Sequence, residues 1–199
     1  HFLKIMPAYR QKEGFQNVKK NEDNFHIAES ILKNGFPLCI MPEGGQDEKH
    51  YLRNFVKGAF RIAFSTQEQL SDEQSVLLLP IGLHHEHYDK VGYSLLINIG
   101  QPIAVKDFYP EYKKNPAVAL NHIKDFAQET LRSLMLDIPN NEYYDILLIT
   151  SELIVNNELK KQNKELTLIN KINEQQKIVN RLFECANESF LQKMRCLTN

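Results

Sequence analysis

No run in this 199-residue chain approaches the roughly 18 consecutive apolar residues that a membrane span needs. The longest candidate, "DILLITSELIV", is short and broken by Ser151 and Glu152, so no helix here is expected to cross a bilayer. Cysteine is scarce and unpatterned. Cys39, Cys185 and Cys196 show no CxxC spacing and are odd in number, which argues against a disulfide framework and suits a reducing compartment. An excess of one charge is also missing: the net charge is -1, with 25% charged and 42% hydrophobic residues. That balance describes a globular chain and speaks against general nucleic-acid binding, so an anionic ligand must be held by local groups. Neither an initiator methionine nor a signal-peptide pattern precedes "HFLKIMPAYR", which reads as cut from something longer. No internal repeat is present.

The residues that are present follow an alternating order. Phe2 to Tyr9 suit a short strand, which Pro7 confines to an edge or an end. Phe25, Ala28, Ile31 and Leu32 recur at helical spacing, with Asn21 as N-cap and Gly35 past the C-terminus. "FPLCIM" then reads as a short buried strand, and Phe55, Ala59, Ile62 and Ala63 as one face of a second helix. "SVLLLPIGL" and "YSLLINIG" are nearly continuous apolar runs, the pattern of strands covered on both faces. Asn115 and Pro116 open a further helix with Ala117, Leu120, Ile123, Ala127, Leu131 and Leu134 along one stripe.

These elements predict an α/β fold, a mixed sheet flanked by helices, over residues 1–136. Residues 137–199 form a C-terminal helical extension, since no glycine follows Pro139 and the segment is rich in Asn, Lys, Gln, Glu, Leu and Ile. Leu166, Ile169, Ile172, Val179, Leu182, Phe183, Ala186 and Phe190 make a drifting apolar stripe on one or two long helices. That stripe is buried either in a helical hairpin or against a partner, including a second copy of the chain.

Three clusters could carry chemistry. Gly44 and Gly45 lie between an apolar run and a helix, where backbone N–H groups and a helix dipole attract phosphate. The pattern is neither GxGxxG nor a P-loop, and a plain tight turn is the simpler alternative. Lys49, Arg53, Lys57 and Arg61 follow at intervals of four, with Arg10 at the exit of the first strand; a solvated helix face is the simpler reading. A guanidinium in that position can grip phosphate through two hydrogen bonds. "HHEHYD", His84 to Asp89, offers three histidines and two carboxylates, enough to suggest a zinc hydrolase. Adjacent His84 and His85 diverge, however, and no HExxH or Cys partner exists.

Three blocks carry a resemblance. "IMPAYR" ending in Arg10, "MPEGG" from Met41 to Gly45 with the following "FVKGAFRIAF", and "LLPIGL" around Pro80 resemble, in order and separation, the blocks of the PlsC-like glycerophosphate and lysophosphatidate acyltransferases. The resemblance runs over roughly Phe2 to Ile103, and is closest to variants common in Bacteroidetes-like bacteria that carry an extra C-terminal helical region. It implies transfer of a fatty acyl group from acyl-CoA or acyl-carrier protein to a lysophospholipid or glycerophosphate-type hydroxyl acceptor. It further implies work at the cytoplasmic side of the inner membrane as a peripheral protein, with no cofactor, no metal and no nucleic acid.

On this resemblance Arg10 contacts the acceptor's phosphate, Gly44 and Gly45 supply backbone contacts, and Glu43 accepts a hydrogen bond from the acceptor or fixes Arg10. The family's threonine-arginine pair is replaced by Gly45 and Gln46, so the cation supplied there comes from Arg53 or Lys57 or is absent. The family's catalytic histidine, followed five positions later by aspartate, lies upstream of the arginine block and is expected before His1. The pairing of His84 with Asp89 falls after the Pro80 block and reads as coincidence. The contrasting reading is a catalytically inert lipid-binding or scaffold protein assembled through its C-terminal helices.

Overall fold

The computed structural model describes residues 15–45, 48–86 and 91–185, with side chains between Asp23 and Glu184. The strand expected over Phe2–Tyr9, Arg10, Gln46, His87, Asp89, Ala186 and Phe190 lie outside the described residues. The element order is α1 (Phe15–Lys33), α2 (Gly58–Glu68), β1 (Leu77–Leu78), β2 (Ile81–His85), β3 (Leu95–Ile99), β4 (Ile103–Ala104), α3 (Val105–Lys114), α4 (Pro116–Arg132), α5 (Tyr144–Lys161) and α6 (Leu168–Cys185). Helices with small antiparallel sheets make this a mixed α and β chain. The single mixed sheet expected from the apolar runs is not seen among the described residues. β1 pairs with β4 and β2 with β3, both antiparallel.

The chain gathers into two compact units. One takes the chain up to Gly44 together with Phe55–Leu78 and Pro102–Ala127. In it α1 begins at Phe15, upstream of the expected cap at Asn21. Its other end follows the glycine signal. Gly35 sits at φ +77, the Phe36 N–H donates to the Ile31 carbonyl at 3.1 Å and the Gly35 N–H to that of Leu32 at 2.9 Å, the paired bonds of a Schellman ending. α1 packs on α2, where the Ser65 hydroxyl donates to Glu29 at 2.6 Å and the Lys33 ammonium to Gln69 at 3.0 Å.

"FPLCIM" is not a buried strand. Among the described residues it makes no sheet pairing, and Phe36 and Met41 are 66% and 69% exposed. α2 starts only at Gly58, so Phe55 is buried ahead of the helix rather than on it. Phe60, Ile62, Ala63 and Phe64 form the buried face, and Phe64 stacks on Tyr112 of α3 with centroids 4.2 Å apart. Gln67 is nearly enclosed and bonded at both ends of its amide: the nitrogen donates to the Gln74 carbonyl at 3.0 Å and the oxygen accepts the Val76 N–H at 2.9 Å. This holds the entry to β1, whose Leu77 and Leu78 pair with Ala104 and Ile103. α4 opens as expected, with the Asn115 side-chain oxygen accepting the Val118 N–H at 3.3 Å. Its buried apolar residues are Ala119, Leu120, Ile123 and Ala127, while Ala117 is exposed.

The other unit takes Gly45–Asn54, Leu79–Gln101 and the chain from Gln128 onward. β2 and β3 pair from Ile81 with Ile99 to His85 with Leu95. The two strands are not covered on both faces. Ile81, Leu83, Leu95, Ile97 and Ile99 alternate along the pair on one exposed, largely aliphatic face, with His85 opposite Leu95 at its end. The opposite face receives Leu134. A Cβ on Gly82 would stand 2.6 Å from the Leu134 carbonyl oxygen, and one on Gly100 2.8 Å from the Leu134 Cδ1. Asn98 donates its amide to that same carbonyl at 2.7 Å.

Beyond α4 the Asp137 carboxylate accepts the Leu52 N–H at 2.7 Å and the Arg132 Nε–H at 2.6 Å. Gln176 of α6 meets both backbone groups of Asp137, accepting its N–H at 2.7 Å and donating to its carbonyl at 3.0 Å. α5 and α6 pack against each other as a helical hairpin, with Leu136, Ile138, Tyr144, Leu147, Ile172 and Val179 in the core. Of the remaining stripe, Leu166, Ile169 and Phe183 are exposed. The turn between the helices has no glycine. Asn163 takes the left-handed position at φ 54, and the Lys164 N–H reaches the Leu159 carbonyl at 3.0 Å, the same ending that Gly35 gives α1.

Candidate functional site

The glycine pair is built by a loop in which the Val56 N–H donates to the Pro42 carbonyl at 2.8 Å. Gly44 sits at φ +64, a conformation that side chains with a Cβ rarely adopt, although Val56 would leave room for one at 3.6 Å. Glu43 is half-buried beside it. Gly45 is a glycine for a different reason. A Cβ there would stand 2.7 Å from Nη1 of Arg53, so the guanidinium lies against the bare backbone.

Arg53 also stands over the Tyr51 ring, its Cζ 5.6 Å from the centroid, a cation–π contact. Of the two cations expected to serve this turn, Arg53 is the one found against Gly45. Lys57 occupies the N-cap position of α2 and makes no side-chain capping bond. Arg10 lies outside the described residues.

The four-residue spacing of the cations does not reflect a helix face. Lys49 and Arg53 precede α2, and only Arg61 lies within it. Lys49 is committed elsewhere, donating to Asn140 at 2.9 Å and standing 4.8 Å over the Tyr144 ring.

"HHEHYD" supplies a feature that sequence reasoning did not isolate. His84 faces inward from β2, and its ring stacks on that of His50 at 4.8 Å with 17° between planes. Burial, then the neighbouring His50 and His85, push the His84 pKa down to about 4 against a small opposing pull from Glu86. His50 is lowered as well, by burial and His85. His84 is therefore neutral at pH 7 and a weak base, unsuited to removing a proton from a hydroxyl. Among the described residues no three His, Cys, Asp or Glu side chains gather as a metal ion would require, and no helix is long and apolar enough to cross a membrane.

Residues 2–84 match a family model described as Acyltransferase, consistent with a PlsC-like acyltransferase. The matched stretch contains all three blocks, at Arg10, at Glu43 to Gly45 and at Pro80, and ends at His84. No curated protein matches the chain, and neither does any solved structure.

Proposed function

We propose that this chain, whose residues 2–84 carry the acyltransferase pattern, serves to move a fatty acyl group from acyl-CoA or acyl-carrier protein to a lysophospholipid or glycerophosphate-type hydroxyl acceptor. The observation that carries the reading is the ordered set of three blocks inside the matched stretch. On this reading Arg10 grips the acceptor's phosphate through two charge-assisted hydrogen bonds. Arg53 adds a second guanidinium beside the bare backbone of Gly45. Lys57 contributes charge at the start of α2, Gly44 and Gly45 offer N–H groups, and Glu43 orients the acceptor hydroxyl or Arg10.

Acyl transfer also needs a base within hydrogen-bond reach of the attacking hydroxyl. The resemblance assigns it to a histidine with an aspartate five positions on, upstream of His1. The reaction belongs at the cytoplasmic surface of the inner membrane, where acceptor and donor meet, and the C-terminal helices are an appended element with capacity for dimer contacts.

The α5–α6 hairpin, outside the matched stretch, leaves a second reading: an inert lipid-binding or scaffold protein that keeps the fold and assembles through its C-terminal helices. Acyl transfer by the full-length gene product separates the two. Arg10→Ala is expected to raise the acceptor KM about tenfold or more, the worth of a charge-assisted bond. Glu43→Ala is expected to lower kcat with KM little changed. Full activity in both variants would remove the residue assignments, and absence of transfer by the unaltered protein would establish the inert reading.

A further inference from the structure

The α5–α6 hairpin gathers three cations over one enclosed carboxylate. Glu174, Lys177 and Arg181 recur at intervals of three and four along α6, which sets them on one face of the helix. Ile178 on that face packs against Val155 and Leu159 of α5 and holds it in place. Lys164 arrives from the turn, where the left-handed Asn163 and the bond from the Lys164 N–H to the Leu159 carbonyl lead the chain back toward α6. All of these residues belong to one compact unit and lie outside the stretch that carries the acyltransferase pattern.

Glu174 is 3% exposed and accepts a hydrogen bond from an uncharged donor, the Gln162 side-chain amide at 2.9 Å. Lys177 Nζ stands 3.6 Å and Lys164 Nζ 4.0 Å from its Oε2, and Arg181 Nη2 stands 3.7 Å from its Oε1. At those distances the cations are attracted to the carboxylate without hydrogen-bonding to it. The three cationic side chains are half-exposed or more, so their N–H groups face solution while the carboxylate is covered.

One cation is enough to pair a buried carboxylate, and three surround this one. The next carboxylate, Glu158, is held by Lys161 at 2.8 Å, a pair that leaves the balance unchanged. Among these residues the surplus is two positive charges, of which the C-terminal dipole of α5 offsets about half of one.

That surplus, presented by three donor groups around one point, selects the anion. A phosphomonoester carries about -1.5 to -2 charge at pH 7 and offers three strong acceptor oxygens. A carboxylate brings a single charge, and a nucleic acid spreads its charge along a line rather than at a point.

We propose that Lys164, Lys177 and Arg181 form a binding site for a phosphomonoester group, over the covered carboxylate of Glu174. Phosphatidate headgroups and free phosphate esters share that chemistry. The proposal does not depend on acyl transfer, and an inactive full-length protein would leave it standing.

The test is titration of the 199-residue chain with methyl phosphate at pH 7.5, read at the Arg181 Nε–H resonance, which reports this site and not the one assigned to Arg10. A saturable shift is expected, with the monoanion methyl sulfate weaker by about fivefold or more. Lys177→Gln and Lys164→Gln, both at exposed positions, should each weaken methyl phosphate by about fivefold or more with the thermal midpoint little changed. Cosedimentation with phosphatidylcholine vesicles containing one-fifth phosphatidate assigns the source. Retention that is lost in Lys177→Gln marks a lipid headgroup, whereas retention that is absent or unchanged in that variant marks a free ester. The proposal is overturned by the absence of a saturable Arg181 shift, by methyl sulfate binding as tightly, or by undiminished affinity in both lysine variants.

Discussion

Asn98 donates its side-chain amide to the backbone carbonyl of Leu134 at 2.7 Å, holding that carbonyl where a Cβ on Gly82 would stand 2.6 Å from it. The segment just past α4 is thereby seated on the β2–β3 pair at a point where the backbone is bare. Gly82→Ala forces backbone against backbone and is expected to cost about 2 kcal/mol or more. Gly100→Ala meets only the flexible tip of the Leu134 side chain, and so should cost less. Chemical denaturation of the double variants distinguishes the two contacts. Leu134→Ala should relieve Gly100→Ala and leave Gly82→Ala unrelieved, because truncating the side chain leaves the carbonyl in place.

The His84 imidazole takes a proton near pH 4 when folded and near pH 6.5 when unfolded. The folded state therefore refuses a proton that the unfolded chain accepts. Stability is fully present above about pH 6.5 and falls as the pH drops toward 4, by up to about 3 kcal/mol if burial alone sets the shift. His50, lowered in the same direction, adds to the slope. Urea midpoints measured from pH 7.5 to 4 should decline less steeply for His84→Phe than for the unaltered chain. An identical decline would show that ordinary carboxylate titration dominates this window.

The adjacent glycines of the PEGG turn are expected to fail differently. Gly44→Ala places a Cβ at φ +64 and should cost about 1–2 kcal/mol of stability with its surroundings little disturbed. Gly45→Ala carries no such backbone demand but displaces the Arg53 guanidinium. It should leave the thermal midpoint nearly unchanged while raising the acceptor KM of the full-length protein. Equal losses of stability in the two variants would contradict this division.

Much of the local structure was legible because single residues announce it. Gly35 ends α1 and Asn115 begins α4 through bonds made by those residues themselves. The α5 to α6 turn was harder to read because Asn163, rather than glycine, adopts the left-handed conformation. α3 escaped notice: Pro110 lies inside it, and few apolar residues mark a stripe. The apolar runs misled most. Continuous aliphatic sequence implies strands buried on both faces, yet pairing is settled by partners far along the chain, and β2 with β3 leaves one aliphatic face open.

At the site, composition and spacing found the glycine turn and its cations but could not choose between Arg53 and Lys57. Only the chain's path between Gly45 and Arg53 brings one guanidinium onto the backbone. The stack of His84 on His50 was invisible because it joins residues distant in sequence.

The open face of β2 and β3 bears on handling as well as on fold. Five aliphatic side chains in register on a strand pair, with no further strand beside them among the described residues, are a template for pairing with another molecule. A concentrated solution of the chain is therefore prone to sticky, concentration-dependent self-association. Lysine at Leu83 and Ile97, opposite one another on that face, is the economical remedy, since both side chains already point to water.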